Sequence, residues 1–189
     1  MQEILAHPPT IDTARLTLRP LTMADDAAIY AYGSDPEVTK YVLFETHNSI
    51  EDTKIFLQAT LEQYSNNEPT SLGIELKENR ELIGSIGYLN WNEAHKRIEI
   101  GYALSRDFWN NGYVSEAAKG LIDHLFSHSD LIRIEARCRA ENFASARVME
   151  KAGMKFEGLL RKQIFSKGEH HDMKMYSIIR DEWQREDHH

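Results

Sequence analysis

The sequence predicts a single α/β (α+β) domain built on a mixed, mostly antiparallel central sheet flanked by helices. Three observations predict it. Segments of apolar–polar alternation recur along the chain, as in "IRIEARCR", where Ile132, Ile134, Ala136 and Cys138 alternate with Arg133, Glu135, Arg137 and Arg139. Between such segments lie stretches of helical spacing, most completely the stripe Val114, Ala117, Ala118, Leu121, Ile122, Leu125 and Phe126. Their order is strand, helices, an antiparallel run of three strands, helix, strand, helix, strand pair, which suits a mixed sheet with crossover helices. The helix that starts at Gly112 joins two strands as a crossover, so those two strands are expected to be parallel.

Each element has a local reason. "ARLTLRPL" (Ala14 to Leu21) alternates as a strand. In "TMADDAAIYAYGSDP", Thr22 caps a helix with acids in its first turn, and Gly33 and Pro36 stand near its stop. "SIEDTKIFLQATLEQYSNN" repeats the pattern: Ser49 or Asn48 caps, and Ile55, Leu57, Leu61 and Tyr64 are candidates for the core. "TSLGIEL" and "ELIGSIGYLNW" form a hairpin about "KENR", and "KRIEIGYALS" is the third strand of the run. After the Gly112 helix come a strand over 131–139, a helix from about Phe143 to Ala152 stopped by Gly153, and the strands "KFEGLLRKQIFS" and "HHDMKMYSII" about the turn "KGE".

The 189 residues suffice for one domain across 1–189, with a core from about 10 to 183. Lys and Arg number 22 against 30 Asp and Glu, a net charge of −8, which argues against nucleic acid as a partner because neutralising phosphates needs a basic face. A negative surface suits cationic partners, and it is equally ordinary for a soluble protein. The one cysteine, Cys138, excludes an internal disulfide and is expected on the buried face of a strand as a small apolar residue, not a nucleophile. No apolar run approaches a membrane span, and "MQEILAHPPT" lacks the pattern of a signal peptide, so a cytoplasmic protein without membrane association is expected. His170-His171 are adjacent on a strand and face opposite ways, a poor chelating pair; no metal is expected. His188-His189 are expected to be remnants of a purification tag.

The chemistry centres on "LSRDFWNNGYVSEAAKGLIDHLF" (Leu104 to Phe126), where a strand passes through an aromatic pair and a turn directly into a helix. The first N–H groups of a helix are unpaired and carry partial positive charge. Gly112 has no Cβ to keep an anion from that backbone, so Asn110, Asn111, Gly112, Tyr113, Val114 and Ser115 could direct successive N–H groups at a phosphate. On local sequence alone, a tight turn that binds nothing fits as well.

From Leu104 onward the sequence resembles motif A of the GNAT superfamily of N-acetyltransferases, whose turn holds the pyrophosphate of acetyl-CoA. Phe108 takes the aromatic place and Gly112 the central glycine, with Val114 in place of a final Gly or Ala. "WNNGYVSEA" is similar to the "W-G-x-G-Y-x-x-E-A" of the ribosomal-protein N-terminal acetyltransferase branch (the Rim type), Trp109 included and Asn110 and Val114 departing. "RAENFASARVMEKAGMKFEGLLRK" and "IDTARLTLRPLTMADD" resemble two further blocks of that branch, and the likeness spans nearly the whole chain.

The resemblance implies a GNAT-type sheet in which a parallel pair, Ile98–Leu104 and Ile132–Cys138, splays apart to admit the cofactor. It implies acetyl-CoA as co-substrate, its pantetheine arm along strand 97–104, and a backbone N–H near Tyr102 to Leu104 polarising the thioester carbonyl. Asn142 would contact that arm and Ser145 would protonate the departing sulfur; as plain structure the pair is an N-cap and a helix-start residue. The tyrosine that many members carry seven residues after this Asn is Met149 here, which leaves Ser145 as the candidate acid. Glu99 is the candidate base, on the opposite side of its strand from Ile98, Ile100 and Tyr102; pairing with Arg133 or Arg137 is its alternative. Where some members carry a Glu, six residues past Gly158, this chain has Ile164.

The acceptor implied is the N-terminal amine of a ribosomal or other protein. Small amines such as polyamines or antibiotics stay open, as does a CoA-binding module without turnover. The candidate acceptor wall is Glu45–Ser49, Asn90–Lys96 and the closing hairpin, with Trp91, Glu93 and His95 suited to an ammonium or to an ordinary wet loop. A homodimer is one assembly the sequence leaves open.

Overall fold

A computed structural model of the chain describes residues 1–186; His188 and His189 lie outside the described residues. In chain order the elements are α1 (Gln2–Ala6), β1 (Ile11–Asp12), β2 (Leu16–Pro20), α2 (Asp26–Gly33), α3 (Pro36–Thr39), α4 (Ile50–Ser65), β3 (Ser71–Leu76), β4 (Leu82–Asn92) and β5 (Arg97–Leu104). They continue with α5 (Tyr113–Ser127), β6 (Arg133–Arg139), α6 (Phe143–Lys151), β7 (Lys155–Ser166), β8 (Glu169–Ile179) and α7 (Arg180–Glu186). The eight strands form one sheet in the order β1-β2-β3-β4-β5-β6-β8-β7. Every neighbouring pair is antiparallel except β5 and β6, the two that the α5 crossover joins. Among the described residues no helix is long and apolar enough to cross a membrane.

Alternation along the strands divides the core between the two faces of the sheet. Leu16, Leu18, Ile74, Ile86, Ile98, Ile100, Ile134 and Ala136 gather on one face, where α5 lays down its whole stripe from Val114 to Phe126, every member of it buried. Burying a Leu, Ile or Phe side chain is worth about 1.5–3 kcal/mol, so the α5 stripe contributes substantially to holding the fold together. On the other face Leu21, Leu82 and Ala103 pack with Ile29 and Tyr32 of α2 and Leu57 of α4. Helix α4 is started by a capping box in which Ser49 and Asp52 each accept from the other's backbone N–H.

Of the apolar residues expected in the core, Leu61 and Tyr64 are only half-buried, and two more are exposed. Ile55 is 64% exposed, because its neighbours Phe56 and Leu57 supply the buried side of α4. Ile132 is 52% exposed, because β6 begins one residue later and the fully buried Leu131 fills the core at the turn before it.

The middle of the sheet is where the architecture departs from a plain ladder. β5 and β6 pair at only three positions, Arg97 with Arg133, Ile98 with Ile134 and Glu99 with Glu135. Beyond them β5 keeps its bonds to β4 as far as Leu104, and β6 keeps its bonds to β8 as far as Arg139. The two strands therefore part and leave a gap that opens onto both faces. Charged side chains lace the closed end: Glu135 binds both Arg97 (2.9 Å) and Arg133 (2.7 Å).

Candidate active site

The connection between β5 and α5 lies on the α5 side of the sheet. A 3₁₀ turn over Arg106–Phe108 follows β5, and the Trp109 indole N–H then donates to the Leu104 carbonyl at 2.9 Å. The Asn111 side-chain amide donates to the carbonyls of Phe108 (3.2 Å) and Trp109 (3.0 Å). Trp109 and Asn111 thus spend their polar side-chain groups on shaping the turn, and what they offer a ligand is the exposed part of the indole and backbone. Asn110 and Gly112 both adopt positive φ, 62° and 78°. Asparagine tolerates that region better than most residues, and glycine enters it without strain.

Gly112 is the N-cap of α5. The first helical bond runs from the Glu116 N–H to the Gly112 carbonyl (3.1 Å), so the amides of Tyr113, Val114 and Ser115 precede any carbonyl the helix can offer them. Val114 buries its side chain and contributes only backbone at the turn. A Cβ built on Gly112 would come within 3.6 Å of an Arg15 guanidinium nitrogen and of nothing nearer. Arg15 was not legible as a site residue. It is held by Glu116 (2.7 Å), donates to the Asn111 carbonyl (3.1 Å) and stacks its guanidinium 4.4 Å from the centre of the Tyr113 ring. Unpaired amides, an open glycine and a fixed guanidinium together form a cradle suited to a diphosphate.

The gap between β5 and β6 begins beside this turn. On the α6 side, Asn142 caps the helix by accepting from the Ser145 N–H at 3.0 Å. That fixes the Ser145 hydroxyl, which lies 3.0 Å from the Tyr102 hydroxyl; Tyr102 also donates to the Ser145 carbonyl at 3.1 Å. Burial raises the Tyr102 phenol above its ordinary range, so it keeps its proton. The sequence assigned Tyr102 a backbone role only; its side chain is the partner of the candidate acid.

Cys138 lines the same cavity, with its thiol 3.7 Å from the Asn142 carbonyl. Burial pushes the thiol up to about 11. A raised thiol pKa favours the neutral form at every pH below it, so Cys138 is protonated in neutral buffer. Alkylation by iodoacetamide at pH 7.5 is expected to be about 100-fold or more slower than for free cysteine, and to keep climbing above pH 9. Intact-mass spectrometry over time checks this; rapid labelling at neutral pH would contradict it.

Glu99 projects to the other face, where it is 7% exposed. One of its oxygens accepts from Arg137 Nε (2.7 Å) and the other from the Asn90 side-chain amide (2.8 Å). Of the two arginines weighed as partners, it is therefore Arg137 that pairs with it. The bond ties β6 to β5 just where their ladder ends.

Through the gap the two faces share one cavity of about 400 Å³. Its α6 side includes Tyr102, Cys138, Asn142 and Ser145; its other side includes Glu99, Arg137, Tyr32, Tyr41, Val42, Phe44, His47 and Phe56. Of the expected acceptor wall, His47 and Met173 of the closing hairpin line it, whereas Trp91, Glu93 and His95 do not. Glu93 instead meets Gln2, and the His95 N–H bonds Asn92. The apolar wall from α2, from 41–44 and from α4 carries no motif that a sequence reading could single out. Among the described residues no group of three or more His, Cys, Asp or Glu is placed to hold a metal. Asp172 accepts from the Lys162 N–H (2.8 Å) and His171 meets the Ser166 carbonyl (3.0 Å), both within the closing hairpin.

Comparison with known proteins identifies the family. The acetyltransferase (GNAT) domain family matches residues 15–155. The N-acetyltransferase YoaA of Bacillus subtilis (strain 168) is 37% identical over 172 residues, covering 91% of this chain and 97% of its own length. The N-acetyltransferase p20 of Bacillus licheniformis is 34% identical, covering 92% and 98%. The crystal structure of a GNAT-family acetyltransferase from Bacillus anthracis superposes with a TM-score of 0.82 at 32% identity, covering 92% of this chain and 99% of that one.

Proposed function

Because the chain belongs to the GNAT acetyltransferase family, which uses acetyl-CoA as donor, we propose that it acetylates a primary amine by direct attack within the β5–β6 gap. The observation that carries this reading is the gap itself: it has the N-terminal amides of α5 beside it, a serine hydroxyl on one side and a carboxylate on the other. An amine is nucleophilic enough to attack a thioester unaided once it is neutral and correctly held, so no residue need form a covalent intermediate.

In this proposal the amides from Asn110 to Ser115 hold the pyrophosphate, assisted by Arg15. Asn142 and the β5 edge guide the pantetheine arm, and an N–H between Tyr102 and Leu104 polarises the carbonyl. Glu99 takes the proton of the attacking amine, directly or through a water. Ser145 gives its proton to the sulfur as the carbon–sulfur bond breaks, and regains one through the Tyr102 hydroxyl. The protonated Tyr102 and its 3.0 Å bond to Ser145 suit that relay.

A protein N-terminus as acceptor is supported by likeness to the ribosomal-protein-serine acetyltransferase of Escherichia coli (strain K12), 33% identical over 53% of this chain. A small amine is supported by the enclosed apolar cavity on the Glu99 side. Calorimetric titration tests the shared premise: acetyl-CoA is expected to bind with one-to-one stoichiometry, and the absence of both heat and thermal stabilisation would overturn it.

A further inference from the structure

The face of the sheet beyond Glu99 has a gap in its side chains that packing requires only in part. Gly87 of β4 and Gly101 of β5 are directly opposed, and the next pair on the same face of the sheet is Ser85 with Ala103. All four line the cavity, so its floor there is nearly bare backbone. Gly87 has a structural reason: a Cβ would lie 2.7 Å from the Thr70 carbonyl, which bonds the Tyr88 N–H. Gly101 has none. A Cβ there meets only Leu89 Cδ2, at an ordinary 3.6 Å, and Gly101 is itself partly exposed. Its φ is not in the left-handed region either. The space above Gly101 is therefore open for something other than this chain.

The wall that shares this space is aromatic and uncharged. Phe44 and Phe56 flank the His47 ring at centroid distances of 5.8 and 6.2 Å. His47 is anchored to Thr53 at 2.8 Å, and burial holds its pKa below the ordinary value, so at neutral pH it carries no charge. The charged side chains lining the cavity are Glu99 and Arg137, which neutralise each other at 2.7 Å. A second ammonium or a phosphate placed here would lose its water without gaining a counter-charge.

Resting on the acetyl-transfer reading above, we infer that the acceptor is a small primary amine carried on a flat, uncharged apolar body, the class to which arylalkylamines belong. The body lies over the Gly101 backbone and against the Phe44–His47–Phe56 wall, and the amine is directed toward Glu99 at the gap. Polyamines are disfavoured for want of carboxylates to take their further ammonium groups.

The test measures thiol release from acetyl-CoA with phenethylamine, tyramine, spermidine and tetrapeptides beginning with Ser or Ala. Phenethylamine or tyramine is expected to exceed spermidine and the peptides in kcat/KM by about tenfold or more, as apolar fit commonly discriminates. Gly101→Val, which fills the floor, is expected to lower kcat/KM for phenethylamine about tenfold or more. Phe44→Ala, remote from β5, is expected to raise the KM for phenethylamine while acetyl-CoA binding, read by calorimetry, stays unchanged. Spermidine or a peptide matching the aromatic amines, or unaltered phenethylamine kinetics in Phe44→Ala, overturns the inference and leaves acetyl transfer standing. So does a protein that binds acetyl-CoA but acetylates no aromatic amine. Failure of the parent protein to bind acetyl-CoA removes the acetyl-transfer reading itself, a result distinct from all of these.

Discussion

Replacing Gly112 with glutamate is expected to weaken acetyl-CoA binding by about 100-fold or more, equivalent to about 2.7 kcal/mol, while the protein stays folded. The residue sits at φ 78° at the N-terminus of α5, so any side chain costs backbone strain of about 1–3 kcal/mol. Against that, a carboxylate at a helix N-terminus is favoured by the helix dipole by about 0.3–1 kcal/mol, and the Arg15 guanidinium lies within reach to pair with it. The same carboxylate that the fold tolerates occupies the seat proposed for the pyrophosphate and repels it. Gly112→Ala separates the two effects, since it carries the strain and a methyl group but no charge. Calorimetric affinities that fall modestly for Ala and steeply for Glu, with both proteins still melting cooperatively, are the expected pattern. Equal affinities for parent and Glu variant would place the nucleotide elsewhere.

Ser145→Ala is expected to lower kcat by about 100-fold, the lower end of what general acids contribute, because a thiolate is already a fair leaving group. Affinity for acetyl-CoA should stay within about threefold, since the Asn142 cap uses the Ser145 backbone N–H, which alanine keeps. The lost hydroxyl leaves Tyr102 its bond to the residue-145 carbonyl, so the cost in stability is about 1 kcal/mol. Pre-steady-state kinetics should show the loss in the chemical step. A drop confined to KM would instead mark Ser145 as a binding residue.

Much of this was legible in the sequence because it depends on neighbours in the chain. The α5 stripe repeats with helical period and buries every residue it names. The strand-to-helix passage through Gly112 is a local signal, as is the spacing of Asn142 and Ser145. What escaped depends on pairing across the fold. Arg15 reaches the turn from the bend just before β2, and nothing near it in sequence marks it as a neighbour of Gly112. Tyr102 and Ser145 meet only because β5 and α6 flank the same gap. The opposition of Gly87 and Gly101 is set by the β4–β5 register, which two isolated glycines do not announce. Ile55 and Ile132 mislead for a related reason: an apolar residue at an element's edge fits the periodicity, yet which face is buried is decided by what packs there. The short helices α1, α3 and α7 carry too few turns to show a period at all.

In the proposed reaction an amine attacks acetyl-CoA directly in the gap between β5 and β6, with Ser145 rather than a covalent carrier serving the departing thiol. Initial velocities measured over a grid of acetyl-CoA and phenethylamine concentrations test it most directly. Double-reciprocal lines that intersect, with thiol released only when amine is present, are expected. Parallel lines, with an acetylated protein isolable in the absence of amine, would contradict it and point to a covalent route through a side chain such as Cys138.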